Sequence, residues 1–346
     1  MSTQPFHQSP NKSLISNHYL RASVSGAMKQ GALPEQLLAQ AGIPIEWLDD
    51  PEQLITDQHL SALIKTVWRV TADEFMGLSP SPSKRGVFSL MAELAHSAKS
   101  LGGALEQSAR FYTAVADDLK IRLDAHTSEQ QPLVFYQLHL QHAGEDQHHM
   151  LQEFIMLMWQ RFSSWMIGHQ VPIARTCFAY PAPEHVQEYQ AMYLGEILYN
   201  QPTCGFYLHP RFLQLPIIRD KSELQVFLHK SPGIILHRPV ADTSIQRKTR
   251  LFLQQFSLDN MPELEEISRY LLLTPRTLRR KLNDEGITIR QIKEDLRRDF
   301  ALNLLAGEHL SIQEIAEQSG FSEAASFCRS FKRWTGSSPA QWRVRT

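Results

Sequence analysis

The sequence predicts an α+β amino-terminal domain with a small sheet, followed by an all-α domain in which a linker helix joins two helix-turn-helix units. Three observations carry this. The 346 residues exceed what one compact core ordinarily holds, so about two domains are expected. Hydrophobic periodicity is helical in the first third, strand-like in the middle, and helical again from Ile245 onward. Within that last stretch one pattern of residue types occurs twice at nearly the same spacing.

In chain order, "ISNHYLRASVSGAMKQG" reads as a helix stopped by Gly31, and Pro34 opens a second in "PEQLLAQAG". "DQHLSALIKTVWRVTA" follows, with Asp57 placed as its N-cap and Leu60, Leu63, Ile64, Val67 and Trp68 as one stripe. "SPSPSKRG" (79–86) is a loop, and "VFSLMAELAHSA" and "LGGALEQSARFYTAVA" are helical again. "LKIRLDAH" and "PLVFYQLHLQH" alternate like the strands of a hairpin around the polar "TSEQQ". A long helix is expected over 148–167, then a strand at "RTCFAYPAP", a helix at "EHVQEYQAMYLG" and a strand at "CGFYLHP". These make up a domain over 1–229. Residues 230–244, "KSPGIILHRPVADTS", have no clean period and are read as the linker to the domain at 245–346.

Composition narrows the function. Hydrophobic residues make up 42% and charged residues 21%, as in ordinary globular proteins. The net charge of −1 names no polyanionic partner, but its distribution is uneven. Residues 240–346 hold 17 Lys and Arg against 14 Asp and Glu, and the rest of the chain holds 18 against 22. Cys177, Cys204 and Cys328 are isolated, odd in number and without a C-x-x-C spacing, which fits reduced thiols and a cytoplasmic location. The polar start "MSTQPFHQSPNKSLISNHYL" lacks the apolar core of a signal peptide, and no stretch is long enough to span a membrane. "LHLQHAGEDQHHM" (His139, His142, Glu145, Asp146, His148, His149) matches no standard zinc spacing, so no metal is expected there. There is no G-x-S-x-G, P-loop or G-x-G-x-x-G, and "SLGGAL" lacks a preceding strand; neither an enzyme nor a cofactor is expected. Phe111, Tyr112, Phe135, Tyr136, Phe154, Trp159, Phe162 and Trp165 could line a pocket for an apolar or amphipathic molecule, although such residues are more often plain core. The ligand site is left unassigned.

The repeat carries the chemistry. In units at about 263–286 and 311–336, Ile267 matches Ile315, Ser268 matches Ala316, and Thr274 matches Ser322. Leu278, Arg280 and Leu282 match Phe327, Arg329 and Phe331, and Gly286 matches Gly336. Each unit has a short helix with a small residue at the crossing point, a tight turn, a Thr or Ser cap and a second helix ending at Gly. The turn calls for a left-handed residue: Gly320 suits it, whereas Leu272 in the first unit is sterically worse. Leu278 and Leu282, four apart, face the core, which leaves Arg276, Arg279, Arg280 and Asn283 on the other face. A basic face on a single helix is ordinarily only solvated. Two such units, joined by a helix with Ile289, Ile292, Leu296, Phe300, Ala301, Leu304 and Leu305 on its apolar side, could set two recognition helices about 34 Å apart along one side of DNA.

Residues 320–343, "GFSEAASFCRSFKRWTGSSPAQWR", resemble the signature of the AraC/XylS family of bacterial transcription regulators, with Gly320, Phe321, Ser322, Phe327, Arg329, Phe331, Gly336, Ser338, Pro339, Trp342 and Arg343 at its positions. Arg297, four before Ala301 in the linker helix, also fits. "SLGGALEQSARFY" and "YLGEILYNQPTCGFYLHPRFLQLP" resemble the ligand-sensing domain of the subgroup that includes regulators of ornithine use. The resemblance implies double-stranded promoter DNA, a small-molecule effector and RNA polymerase as partners, with a possible homodimer. It favours a ligand-responsive activator of a nearby operon over a repressor; a helical protein-interaction module is the remaining alternative. It implies DNA contact by Arg276, Arg279 and Arg280 in the first unit and by Ala324, Ala325, Cys328 and Arg329 in the second, with Lys332 and Arg333 on phosphates. Thr274, Thr277 and Asn283, and Ser322 and Glu323, complete the expected DNA-facing set. The second recognition helix offers alanines and a cysteine where the first has arginines, so the first unit is expected to dominate base reading.

Overall fold

The computed structural model describes residues 14–127, 132–168, 170–237, 244–305 and 310–343. The extreme amino terminus, the hairpin turn at 128–131 and residues 238–243 of the expected linker lie outside them.

The amino-terminal domain contains β1 (Leu14–Ser16), α1 (His18–Lys29), α2 (Pro34–Ala41), β2 (Leu54–Thr56), α3 (Asp57–Thr71), α4 (Val87–His96), α5 (Leu101–Val115), β3 (Leu119–Thr127), β4 (Pro132–Leu140), α6 (Met150–Met166), β5 (Ile173–Cys177), α7 (Tyr189–Met192), β6 (Glu196–Leu198), β7 (Cys204–Leu208), α8 (Lys221–Lys230) and α9 (Gly233–Leu236). The main sheet runs β3-β4-β7-β5-β6, antiparallel except for the β5–β6 pair. α6 is apolar nearly all round because it is nearly all buried: Leu151, Met156, Trp159, Phe162 and Met166 have no exposed surface. Trp159 meets Tyr136 of β4, which stacks on its register partner Phe206 of β7. The predicted hairpin is therefore the edge of the core sheet, with α6 packed on its inner face.

Several sequence expectations change. β1 falls at the start of a stretch read as helix and β2 in a stretch left unassigned; they pair through Ile15 and Ile55, both buried, and three residues are too few to show an alternating pattern. Thr56, not Asp57, caps α3: its Oγ1 accepts from the His59 backbone N–H, and the His59 ring returns a bond to the Thr56 N–H. The helix expected over "EHVQEYQAMYLG" contracts to a 3-10 turn (Val186–Glu188) and α7, and the unpredicted β6 follows it. Inside the stretch read as linker, α9 buries Ile235 and Leu236 against α3 and α6, so the connection to the second domain is drawn shorter than 230–244.

The second domain is all helical: α10 (Ile245–Leu253), α11 (Leu264–Tyr270), α12 (Pro275–Asp284), α13 (Ile289–Leu305), α14 (Ile312–Gln318), α15 (Ala324–Thr335) and α16 (Pro339–Arg343). The pairs α11–α12 and α14–α15 are the two helix-turn-helix units. α13 is the connecting helix, burying Ile292, Leu296, Phe300, Ala301, Leu304 and Leu305.

Candidate nucleic-acid interface

In the first unit, Thr274 Oγ1 accepts from the Thr277 backbone N–H at 3.2 Å and shares a 2.8 Å bond with the Thr277 hydroxyl. This cap, with Pro275 at the first helical position, fixes where α12 begins. Leu278 and Leu282 are buried. Their spacing then forces Arg276, Arg279, Arg280 and Asn283 outward, and all four are exposed. The three arginines have no acidic partner among the described residues. Elsewhere in this domain Arg250, Arg290, Lys293 and Arg298 are in ion pairs. Behind the helix, Ser268 sits buried where α11 crosses α12, its hydroxyl turned back to the Leu264 carbonyl. The turn has the conformation the repeat demanded: Leu272 has φ +54° and is 92% exposed.

The second unit keeps the framework and changes the face. Phe327 and Phe331 replace the leucines as fully buried anchors. Gly320 takes the left-handed turn position at φ +80°. Ser322, read as the cap, lies one residue too early. Glu323 holds the N-cap position, without a side-chain capping bond, because α15 starts at Ala324. Ser322, Glu323, Ala325, Arg329, Lys332 and Arg333 are exposed. Ala324 and Cys328 are instead half-buried against the core, since they flank the inward line of Phe327 and Phe331. Arg329 bonds to Ser326 Oγ at 3.0 Å, and Arg333 pairs with Glu294 of α13 at 3.4 Å.

A cleft of about 870 Å³ lies between the two units. Arg279 and Asn283 reach it from α12, Ser330 and Arg333 from α15, and Arg290, Lys293 and Arg297 from α13. Five cations line it against two acids, Glu263 and Glu294. The structure thus brings Arg279, Asn283 and Arg333 to one surface, while Arg276, Arg280 and Arg329 lie outside that lining. Arg290 and Lys293 of α13 were missed in sequence because that helix was read for its apolar side and for Arg297 alone. Arg297 is structural: its Nε and Nη2 donate to the Leu258 carbonyl, and burial lowers its guanidinium below the ordinary arginine range.

The histidine-rich stretch does not converge. His142 pairs with Asp118, His148 is exposed, and His149 stacks on Tyr180. A different group, His18, Glu153 and His185, does converge, with ligating atoms within 4.8 Å of one another. Its chemistry is that of a satisfied buried carboxylate: Glu153 accepts from the hydroxyls of Tyr19 and Tyr189 at 2.6 and 2.5 Å and is 3.0 Å from His185 Nε2. His18 and His185 stack at 3.7 Å, an arrangement unsuited to two rings aimed at one ion. Of the aromatic residues, Tyr136, Trp159 and Phe162 are plain core, and Phe154 separates two small apolar cavities.

Residues 31–217 match the family described as the arabinose-binding domain of AraC transcription regulator, N-term, and residues 267–345 match a helix-turn-helix domain family. The chain belongs to the AraC family of transcription regulators. The ornithine utilization regulator of Pseudomonas aeruginosa is 23% identical over 334 residues, spanning 95% of this chain and 96% of that one. The urease operon transcriptional activator of Escherichia coli is 40% identical over 83 residues, 24% of this chain and 28% of that one. Among solved structures, the transcriptional regulator CdpR from Pseudomonas aeruginosa aligns over 94% of this chain and 98% of its own at 20% identity, with a TM-score of 0.32. An AraC-family helix-turn-helix domain is a DNA-binding domain, and its amino-terminal partner is an effector-binding one. The relatives are transcription regulators, which are not enzymes. Among the described residues no helix is long and apolar enough to cross a membrane.

Proposed function

We propose that the chain is a ligand-responsive activator of a nearby operon and that its two recognition helices share the work unequally. α12 reads base edges through Arg276, Arg279 and Arg280, with Thr274, Thr277 and Asn283 at the margins of the contact. The observation that carries this is the three exposed arginines on one helix face without an acidic partner among the described residues. An unpaired guanidinium fork is suited to guanine O6 and N7 or to phosphate oxygens. α15 offers Arg329 with Ser322, Glu323 and Ala325, and Lys332 and Arg333 on phosphate; Ala324 and Cys328, half-buried, add at most apolar contact with a thymine methyl. The cationic cleft between the units would face the DNA strand that passes from one major groove to the next.

The effector would bind in or against the amino-terminal domain as a small apolar or amphipathic molecule, and could act only by binding one arrangement of domains or protomers better than another. RNA polymerase and a second copy of the chain are the further partners. The cytoplasm, where promoter DNA lies and the three unpaired cysteines would stay reduced, is the proposed location. Deleting the gene while following transcription of its neighbours tests the direction of control. A fall in transcription, restored by the wild-type chain and not by Arg280→Ala, supports activation; a rise makes the chain a repressor. A chain with no preference among DNA sequences would instead be a helical interaction module.

A further inference from the structure

Where the two domains meet, a cleft of about 290 Å³ is lined by Arg211 and Phe212 on one side and by Arg250, Asp299, Phe300 and Asn303 on the other. Arg211 follows β7, in a 3-10 turn at Pro210–Gln214, and its guanidinium lies over the Phe212 ring and within 5.8 Å of the Phe300 centroid on α13. One nitrogen, Nη2, donates to the Gln254 backbone carbonyl at 2.9 Å. The other two, Nε and Nη1, are buried and have no acceptor among the described residues. A desolvated guanidinium with three N–H groups unmet is costly, and burial pulls Arg211 down to about 9, only partly opposed by Asp259. The acid nearest in the lining does not relieve it, because Asp299 is already held by Arg250 and Arg298. The cleft thus has a spare cation, aromatic walls and a volume equal to that of roughly ten liquid waters.

We propose that this cleft is a binding site for a small carboxylate with a short apolar body. The body lies against Phe212 and Phe300, and the carboxylate takes the Arg211 guanidinium. Because Nε and Nη1 are shielded in the arrangement described, the guanidinium must turn toward the cleft to meet the ligand. That turn gives up the bond to Gln254, which joins the amino-terminal domain to α10. Ligand binding would therefore loosen one interdomain tie and replace it with a bridge across the cleft. The proposal rests on reading the chain as effector-responsive and supplies the chemical class of that effector.

Thermal unfolding of the full chain, titrated with sodium hexanoate, tests it; 1-hexanol and inorganic phosphate are the control arms. The midpoint should rise with hexanoate and not with hexanol or phosphate, and the rise should disappear in Arg211→Met. In case Arg211→Met does not fold, Asn303→Trp, which fills the cleft and leaves Arg211 in place, should lose the same rise. No rise in the wild type, an equal rise with hexanol or phosphate, or a wild-type response in a folded variant overturns the site. A rise without any change in DNA affinity upholds the site and counts against the effector reading, so the two fail separately.

Discussion

Arg297 of the connecting helix holds the backbone carbonyl of Leu258 with two donors, Nε at 3.2 Å and Nη2 at 2.8 Å. The same carbonyl packs against the turn of the second unit, where a β-carbon on Gly320 would stand 2.5 Å from the Leu258 carbonyl carbon and oxygen. One peptide thus ties the loop before α11 to α13 and to the α14–α15 turn. Gly320→Ala should cost about 2–5 kcal/mol, from the left-handed backbone and the clash together. Arg297→Lys, which keeps the charge and loses the fork, should cost about 1–3 kcal/mol. Urea unfolding of the full chain measures both, and near-wild-type stability of Gly320→Ala would show that the loop can move aside.

Leu272 makes the opposite case at the matching turn. It has the same left-handed backbone, and being 92% exposed it gains almost nothing from burial. Leu272→Gly should therefore leave stability unchanged or raise it by up to about 1 kcal/mol, strain relief being set against the extra freedom of the unfolded chain. A loss above about 1 kcal/mol would mean that the leucine packs in a way the fold does not display.

Glu153 gathers Tyr19, Tyr189 and His185 around one fully buried carboxylate. Glu153→Gln puts an amide donor where only donors point, and should destabilise by about 2–3 kcal/mol in the same unfolding assay. An unaffected variant would mean that the tyrosines find other acceptors.

Stability should fall on mild acidification. Burial keeps His18 neutral down to about 3 and, with help from neighbouring Arg211, His209 down to about 4; burial also lowers His149. In the unfolded chain each takes up a proton near 6.5. The unfolded state thus binds more protons once the pH drops below about 7, and the contribution is lost progressively toward pH 3–4. Asp146 and Glu74 work the other way: burial raises both carboxyls above their ordinary range, Asp146 to about 6, so Asp146 regains stability only as the pH falls below that value. The melting temperature should therefore drop between pH 7.5 and 6, and less steeply in His18→Gln; a flat profile there contradicts the burial of these rings.

What was legible in the sequence was what lies within one helix or one repeat. Leu278 with Leu282, Phe327 with Phe331 and the turn position shared by Leu272 and Gly320 all follow from spacings of a few residues. The half-burial of Ala324 and Cys328 was missed because the family resemblance placed them on the DNA face, although they stand three before and one after Phe327 on the stripe that Phe327 and Phe331 define. His18, Glu153 and His185 are far apart in sequence, and nothing local announces that they meet. Arg297 was noted in sequence only as a family match, because its acceptor is the Leu258 backbone carbonyl, which no side-chain pattern encodes.

Competition binding of the full chain to its operator against scrambled DNA, at fixed salt, tests the division of labour between α12 and α15. Arg280→Ala should cut the ratio of specific to nonspecific affinity by the equivalent of about 1–3 kcal/mol, whereas Arg329→Ala should weaken both affinities together and leave the ratio nearly unchanged. Equal losses of the ratio in the two variants would contradict the unequal reading by the two helices.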